Sequence, residues 1–145
     1  MADIKEILLK HKTIAMIGVS KDSTKPSTIV MKYMQKYGYK VIPVNPRAKG
    51  EKILDEEVFE KITDIKEPVD IVDVFRPSKE VFPIAEDTVK IGAKVLWLQL
   101  GISSNEAKTL VTKSNINYIE NRCTKMEYQK IFLKKTQAFP VLSNS

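Results

Sequence analysis

Thr13-Ile14-Ala15-Met16-Ile17-Gly18-Val19, followed by the polar stretch Ser20 to Lys25 and then by Pro26-Ser27-Thr28, is the segment on which the fold turns. An apolar run without polar alternation predicts a strand buried on both faces, which is the habit of a parallel sheet. Pro26 suits the first turn of a helix, where its missing N–H has no partner to lose. Ile29, Val30, Tyr33, Met34 and Tyr37 then recur at helical spacing, and Gly38 is a natural stop. The segment therefore reads as strand, short loop and helix.

The same alternation extends to both ends of the chain. Before it, Ile4 to Leu9 reads as a short amphipathic helix. After it, Tyr39 to Val44 is the second strand, and Pro43 places it, or its end, where a backbone donor can be spared. Asn45 to Gly50 is rich in turn residues; Glu57 to Phe59 reads as a very short strand and Lys61 to Ile65 as a turn or two of helix. Val69 to Phe75 is a clear strand, broken by Arg76-Pro77-Ser78; the helix that follows starts near Pro83 and ends at Gly92. Lys94 to Leu98, Asn105 to Lys113, Asn117 to Glu120 and Lys125 to Leu133 read as strand, helix, strand and helix. Strands alternating with helices predict one doubly wound α/β domain, a mainly parallel sheet with helices on both faces, over residues 1–135. Residues 136–145 are expected to form a loosely held tail.

Composition narrows the function. The chain has 145 residues, 43% of them hydrophobic, enough for one full core and no more. No apolar run reaches the length of about 18 residues that a membrane span needs. One cysteine, Cys123, excludes an internal disulfide framework and suits a reducing, cytoplasmic setting. The net charge of +6 favours anionic partners, but the lysines are scattered and form no arm of the kind that grips nucleic acid. Neither nucleic acid nor membrane is expected as a partner.

In an open parallel sheet, ligands sit beyond the carboxyl ends of the strands, where the strand order reverses. The chain has three arginines, Arg47, Arg76 and Arg122, and each falls just past a predicted strand. Arginine's planar fork grips phosphate or carboxylate at two points, so a shared anion site is expected on that edge. The first loop agrees: Gly18 at a strand end, then Ser20 and a helix start, offers backbone N–H groups and a helix dipole to an anion. Yet the dinucleotide fingerprint G-x-G-x-x-G lacks its second and third glycines, replaced by Ser20 and Ser23. The acidic residue that holds the ribose of NAD is absent as well. Asn45-Pro46-Arg47 stands in its place, with Lys49 close behind. This pattern disfavours NAD and suits a nucleotide with an extra ribose phosphate, either NADP or coenzyme A (CoA).

Taken in order, Ile17 to Ser20, Gly38 to Pro46, Val69 to Arg76, Gly92 to Gly101 and Asn121-Arg122-Cys123 carry a resemblance. The chain resembles the small stand-alone CoA-binding domain proteins, which are similar to the N-terminal domain of the succinyl-CoA synthetase α subunit. The resemblance runs from about Ile4 to Phe132 and implies a Rossmann-like fold binding CoA, or acyl-CoA, through its ADP part. By that analogy Gly18, Val19, Ser20 and Lys21 surround the diphosphate, with Ser27 at the next helix start. Asn45 and Pro46 belong to the same cofactor-binding set, and Arg47 or Lys49 faces the ribose 3′-phosphate or the adenine. Phe75 and Arg76 line the groove, with Leu98, Gln99 and Leu100 on its far side. The chain departs from the pattern at Asn121, where the family usually has an aspartate. It also lacks the domain that carries the synthetase's phosphorylated histidine, so thioester-forming chemistry is not implied.

The remaining reactive side chains have plain readings. His11, in a Lys-His-Lys stretch before the first strand, is expected to be a solvated surface residue. Asp70 and Asp73 lie three apart on a strand and so point to opposite faces, which suits hydrogen bonding better than paired-carboxylate chemistry. Trp97 is expected in the core with its indole N–H bonded internally. Cys123 has two readings: a small buried hydrophobe, or a thiol whose pKa Arg122 lowers and which forms a mixed disulfide with CoA. One cysteine and one histidine far apart do not make a zinc site. The leading expectation is non-catalytic CoA binding, with a protein partner left open. The alternative is a small NADP- or CoA-thioester-dependent enzyme, or enzyme subunit, completed by a partner chain.

Overall fold

The computed structural model describes residues 2–134. The tail expected at 136–145 lies outside them. Five strands form one parallel sheet: β1 (Thr13–Ile17), β2 (Lys40–Val44), β5 (Ile71–Val74), β6 (Val95–Leu98) and β7 (Asn117–Ile119), in the order β2-β1-β5-β6-β7. Two further strands, β3 (Lys52–Ile53) and β4 (Glu56–Glu57), make a small antiparallel hairpin. The helices are α1 (Ile4–Lys10), α2 (Pro26–Lys36), α3 (Val81–Ile91), α4 (Asn105–Lys113) and α5 (Thr124–Phe132). This is the expected Rossmann-like α/β architecture.

Alternation along the strands sorts the core into two layers. Ile14, Met16, Val41, Ile71, Val95 and Trp97 face α1, α2 and α5. Ala15, Ile17, Val44, Val72, Leu96 and Leu98 face α3 and α4. Complete burial of each of the larger aliphatic side chains is worth about 1.5–3 kcal/mol, so the sheet is the stability centre of the molecule. Trp97 is fully buried, and its Nε1 donates to the carbonyl of Arg122 at 2.7 Å, as its position in an apolar strand predicts.

Local details follow from the residues that make them. β2 is an edge strand, and Pro43 turns its carbonyl outward to accept from Phe59 N at 3.0 Å; its missing N–H therefore leaves no gap in the inner ladder. The very short strand expected at Glu57 to Phe59 is instead the β3–β4 hairpin, with Phe59 bridging to Val44. Two-residue strands are too short to announce themselves by alternation. α3 starts at Val81 after a 3-10 turn over Ser78–Glu80, so Pro83 sits in its first turn rather than at its start. The first apolar run ends as a strand at Ile17, because Gly18 turns the chain with φ +93°.

After β2 the chain returns to the other side of β1 to lay down β5. The strand order therefore reverses between β1 and β5, and the loops that leave these two strands border the crevice.

Candidate functional site

Gly18 closes β1 by donating its N–H to the carbonyl of Val44 at 2.8 Å. A Cβ built on it would stand 2.9 Å from the carbonyl oxygen of Phe75 and 2.9 Å from Arg76 Cδ. The loops after β1 and β5 touch here so closely that only glycine fits. Beyond Gly18, Ser20 is locked to α2 from both sides. Its N–H donates to Ser27 Oγ at 3.1 Å, and its carbonyl accepts from Thr28 Oγ1 at 2.6 Å. Ser27 and Thr28 are buried, so their hydroxyls shape the loop from behind.

Asn45 ties the second strand end to the first. Its Nδ2 donates to the carbonyl of Val19 at 2.8 Å, and its Oδ1 accepts from Arg47 N at 2.9 Å, capping the 3-10 turn Pro46–Ala48. Both ends of the amide are used, so an alanine there frees both loops. Asn45→Ala is expected to cost about 1–2 kcal/mol. A urea melt checks this, and an unchanged midpoint would remove Asn45 from its bridging role.

These loops border a cavity of about 1150 Å³ at the point where the strand order reverses. Gly18, Ser20, Lys21, Asn45, Pro46 and Arg47 line one side of it, and Arg76 lines it from the end of β5. Ile62, Pro83 and Ile84 give it an apolar wall from the 62–64 turn and α3. Five cationic side chains (Lys21, Arg47, Lys61, Arg76 and Lys79) and four carboxylates (Asp22, Glu60, Glu80 and Asp87) share the lining. Several of these charges are already matched at or near the rim: Lys21 with Glu51 at 3.1 Å, Lys49 with Glu60 at 3.3 Å and Arg76 with Glu80 at 3.0 Å. Among the described residues, Arg47, Lys61 and Lys79 have no carboxylate within 4.0 Å. Hydrogen bonds from the Thr24 hydroxyl and N–H hold the Asp22 carboxyl below the usual carboxylate range.

A model of the CoA binding domain matches residues 12–129. The chain belongs to the CoA-binding domain family. Uncharacterized protein YneT of Bacillus subtilis is 35% identical over 127 residues, spanning 88% of this chain and 93% of that protein. The ADP-forming acetate–CoA ligase of Methanocaldococcus jannaschii is 26% identical over 135 residues, which is 88% of this chain and 19% of the ligase. A Thermus thermophilus protein of solved structure superimposes with a TM-score of 0.86 at 35% identity, over 90% of this chain and all of that one. The acetyl-coenzyme A synthetase 1 of Ca. Korarchaeum cryptofilum shares the fold, with a TM-score of 0.66 at 22% identity over 81% of this chain and 27% of that one.

Not every residue singled out in this CoA-binding domain reaches the cavity. Val19 is fully buried, so only its backbone borders the loop. Phe75 packs against the α1, α2 and α5 layer, its carbonyl lies against Gly18, and it does not line the cavity. Leu98 is fully buried against α3 and α4, Leu100 is exposed, and neither lines the cavity. Gln99 is buried, with Nε2 donating to Asp73 Oδ1 at 2.6 Å and to Thr124 Oγ1 at 3.2 Å. Arg122 does not join the other two arginines. Its strand, β7, is at the far edge of the sheet from β2, and its guanidinium meets Glu127 at 3.5 Å instead. Cys123 likewise lies off the cavity, and burial pushes its thiol pKa up, against the lowering that a reactive thiol needs.

Asp70 accepts from Lys12 N at 3.2 Å and Thr13 N at 3.3 Å, a structural role at the opposite end of the sheet. Lys61, Ile62, Lys79, Glu80, Pro83 and Ile84 are among the cavity residues that sequence reasoning passed over. Extending the strand-end rule a few residues past Pro77 would have reached Lys79. The 61–62 pair carried no signal, because it arrives through a turn that follows an irregular segment. Among the described residues, no helix is long and apolar enough to cross a membrane, and no three His, Cys, Asp or Glu side chains group as metal ligands.

Proposed function

We propose that this protein binds coenzyme A, free or acylated, through its ADP part at the β1–β5 crevice, and that it carries out no chemistry of its own. The observation that carries the reading is Arg47: a cation with no carboxylate partner among the described residues, on the rim of the cavity, at the strand end where a NAD-binding sheet keeps an acid. In this reading the loop Gly18 to Lys21 receives the diphosphate, and Ser27 positions that loop through Ser20. Arg47 meets the ribose 3′-phosphate, while Lys49 is engaged by Glu60. The apolar wall of Ile62, Pro83 and Ile84 suits a flat, weakly polar base. Membership in the CoA-binding domain family supports the choice of ligand.

Calorimetric titration with CoA, 3′-dephospho-CoA, NADP and NAD tests the proposal. Saturable one-to-one binding of CoA is expected, weaker without the 3′-phosphate and absent for NAD. Arg47→Ala is expected to weaken CoA about ten-fold, the worth of one charge-assisted contact, and to leave dephospho-CoA nearly unchanged. Equal losses for the two ligands remove Arg47 from the 3′-phosphate. Binding of NADP without CoA overturns the reading.

A further inference from the structure

The side chain of Arg76 leaves the end of β5 and lies across Gly18, so close that a Cβ on Gly18 would meet its Cδ at 2.9 Å. Its guanidinium then forms a two-point fork with Glu80, Nε to Oε1 at 3.0 Å and Nη2 to Oε2 at 3.0 Å. Both residues line the cavity. Glu80 stands at the N-cap of α3, yet its carboxylate caps no helix N–H. Among the described residues the carboxylate's hydrogen bonds come from Arg76 alone. The hydrogen bond from Arg76 holds the Glu80 carboxyl below its ordinary range, so it is ionised wherever the protein is folded near neutral pH.

Carboxylate and phosphate present the same paired oxygens to an arginine fork. We infer that Glu80 is a resident competitor for Arg76, so that a diphosphate entering over Gly18 exchanges with the Glu80 carboxylate and the crevice admits only ligands that hold on elsewhere as well. This rests on the CoA reading and adds to it a residue that sets specificity. Both partners are nearly half exposed, with side-chain accessibilities of 45% and 41%, so the pair is weak and the exchange is easy. A simple anion gains from Arg76 only what it loses by breaking that pair. A ligand that also reaches Arg47 gains a second contact, and discrimination follows from the competing carboxylate as much as from the attraction.

The test is Glu80→Gln, titrated with CoA, 3′-dephospho-CoA and adenosine 3′-phosphate; the last keeps the ribose phosphate and lacks the diphosphate. CoA and dephospho-CoA are expected to bind about three-fold more tightly, and adenosine 3′-phosphate with unchanged affinity. In an Arg76→Ala background the same substitution is expected to give no gain. Glu80→Ala serves as a second variant and is expected to behave like Glu80→Gln. If wild type binds CoA and neither variant binds it more tightly, the inference falls and the CoA reading stands. A gain that persists in Arg76→Ala, or that extends to adenosine 3′-phosphate, reflects general removal of negative charge and overturns it. Absence of CoA binding by wild type and variants alike overturns both.

Discussion

Gly18→Ala is expected to lower stability by about 3 kcal/mol and to abolish measurable CoA binding. Two costs combine. The backbone at Gly18 has φ +93°, a conformation that charges a side-chain-bearing residue about 1–3 kcal/mol. The new methyl would also sit 2.9 Å from the Phe75 carbonyl, a backbone atom that cannot swing aside as the Arg76 stem can. Relief requires the loops after β1 and β5 to part, and those loops form the floor of the crevice. For a chain of this size, a loss of that magnitude lowers the melting temperature by about 10 °C. Thermal and urea melts read the stability, and calorimetry with CoA reads the site. A variant that melts with wild type shows that the two loops are not in contact. One that melts early but binds CoA normally shows that the crevice is not where the ligand sits.

Asp73 is expected to impose a pH dependence of comparable size. It lies on β5 between Met16 and Trp97, fully buried on the apolar layer that faces α1, α2 and α5. Burial drives its pKa up to about 7, and the hydrogen bonds from Gln99 and Thr124 only partly oppose the rise. The folded protein then holds a proton that the unfolded chain has released, throughout the window from about pH 4 to pH 7. Stability conferred by this group is greatest below that window, falls as pH rises through it, and levels off above pH 7. The full span is about 4 kcal/mol at most. Asp73→Asn, which imitates the protonated form, is expected to differ little from wild type near pH 4 and to be more stable by up to about that amount at pH 8. Urea melts across the range give the difference directly. A difference independent of pH would mean that Asp73 titrates in its ordinary range and is reached by water.

The two predictions come from residues of very different legibility. Gly18 announced itself: a glycine at the end of a buried strand, followed by a polar loop and a helix start, reads as a turn that offers backbone N–H groups to an anion, and the fold adds its close approach to Phe75. Asp73 did not. Two carboxylates three apart in Val69 to Phe75 suggest hydrogen-bonding roles, but the partners of Asp73, Gln99 and Thr124, come from later segments and meet it only once β5, β6 and α5 are assembled. The arginines show the same limit. All three follow strands, so a rule that counts strand ends treats them alike. The sheet order then puts Arg47 and Arg76 at the reversal between β1 and β5 and leaves Arg122 at the far edge, paired with Glu127.

Sequence alone determined what depends on local periodicity and local backbone chemistry. Continuous apolar runs marked the buried strands, helical spacing marked the helices between them, Pro43 marked an edge, and Gly18 marked the turn into the crevice. Asn45 and Arg47, in place of an acid, marked the kind of nucleotide to expect. Tertiary structure decided what depends on distance between segments far apart in the chain. It chose which strand ends became neighbours and brought Ile62, Pro83 and Ile84 to the cavity wall. It also withdrew Leu98 and Gln99 into the interior and laid the stem of Arg76 against Gly18. The physical reason is that strand and helix propensity are fixed by neighbours within a few residues. The meeting of side chains is fixed instead by sheet order and packing, which no short stretch of sequence encodes.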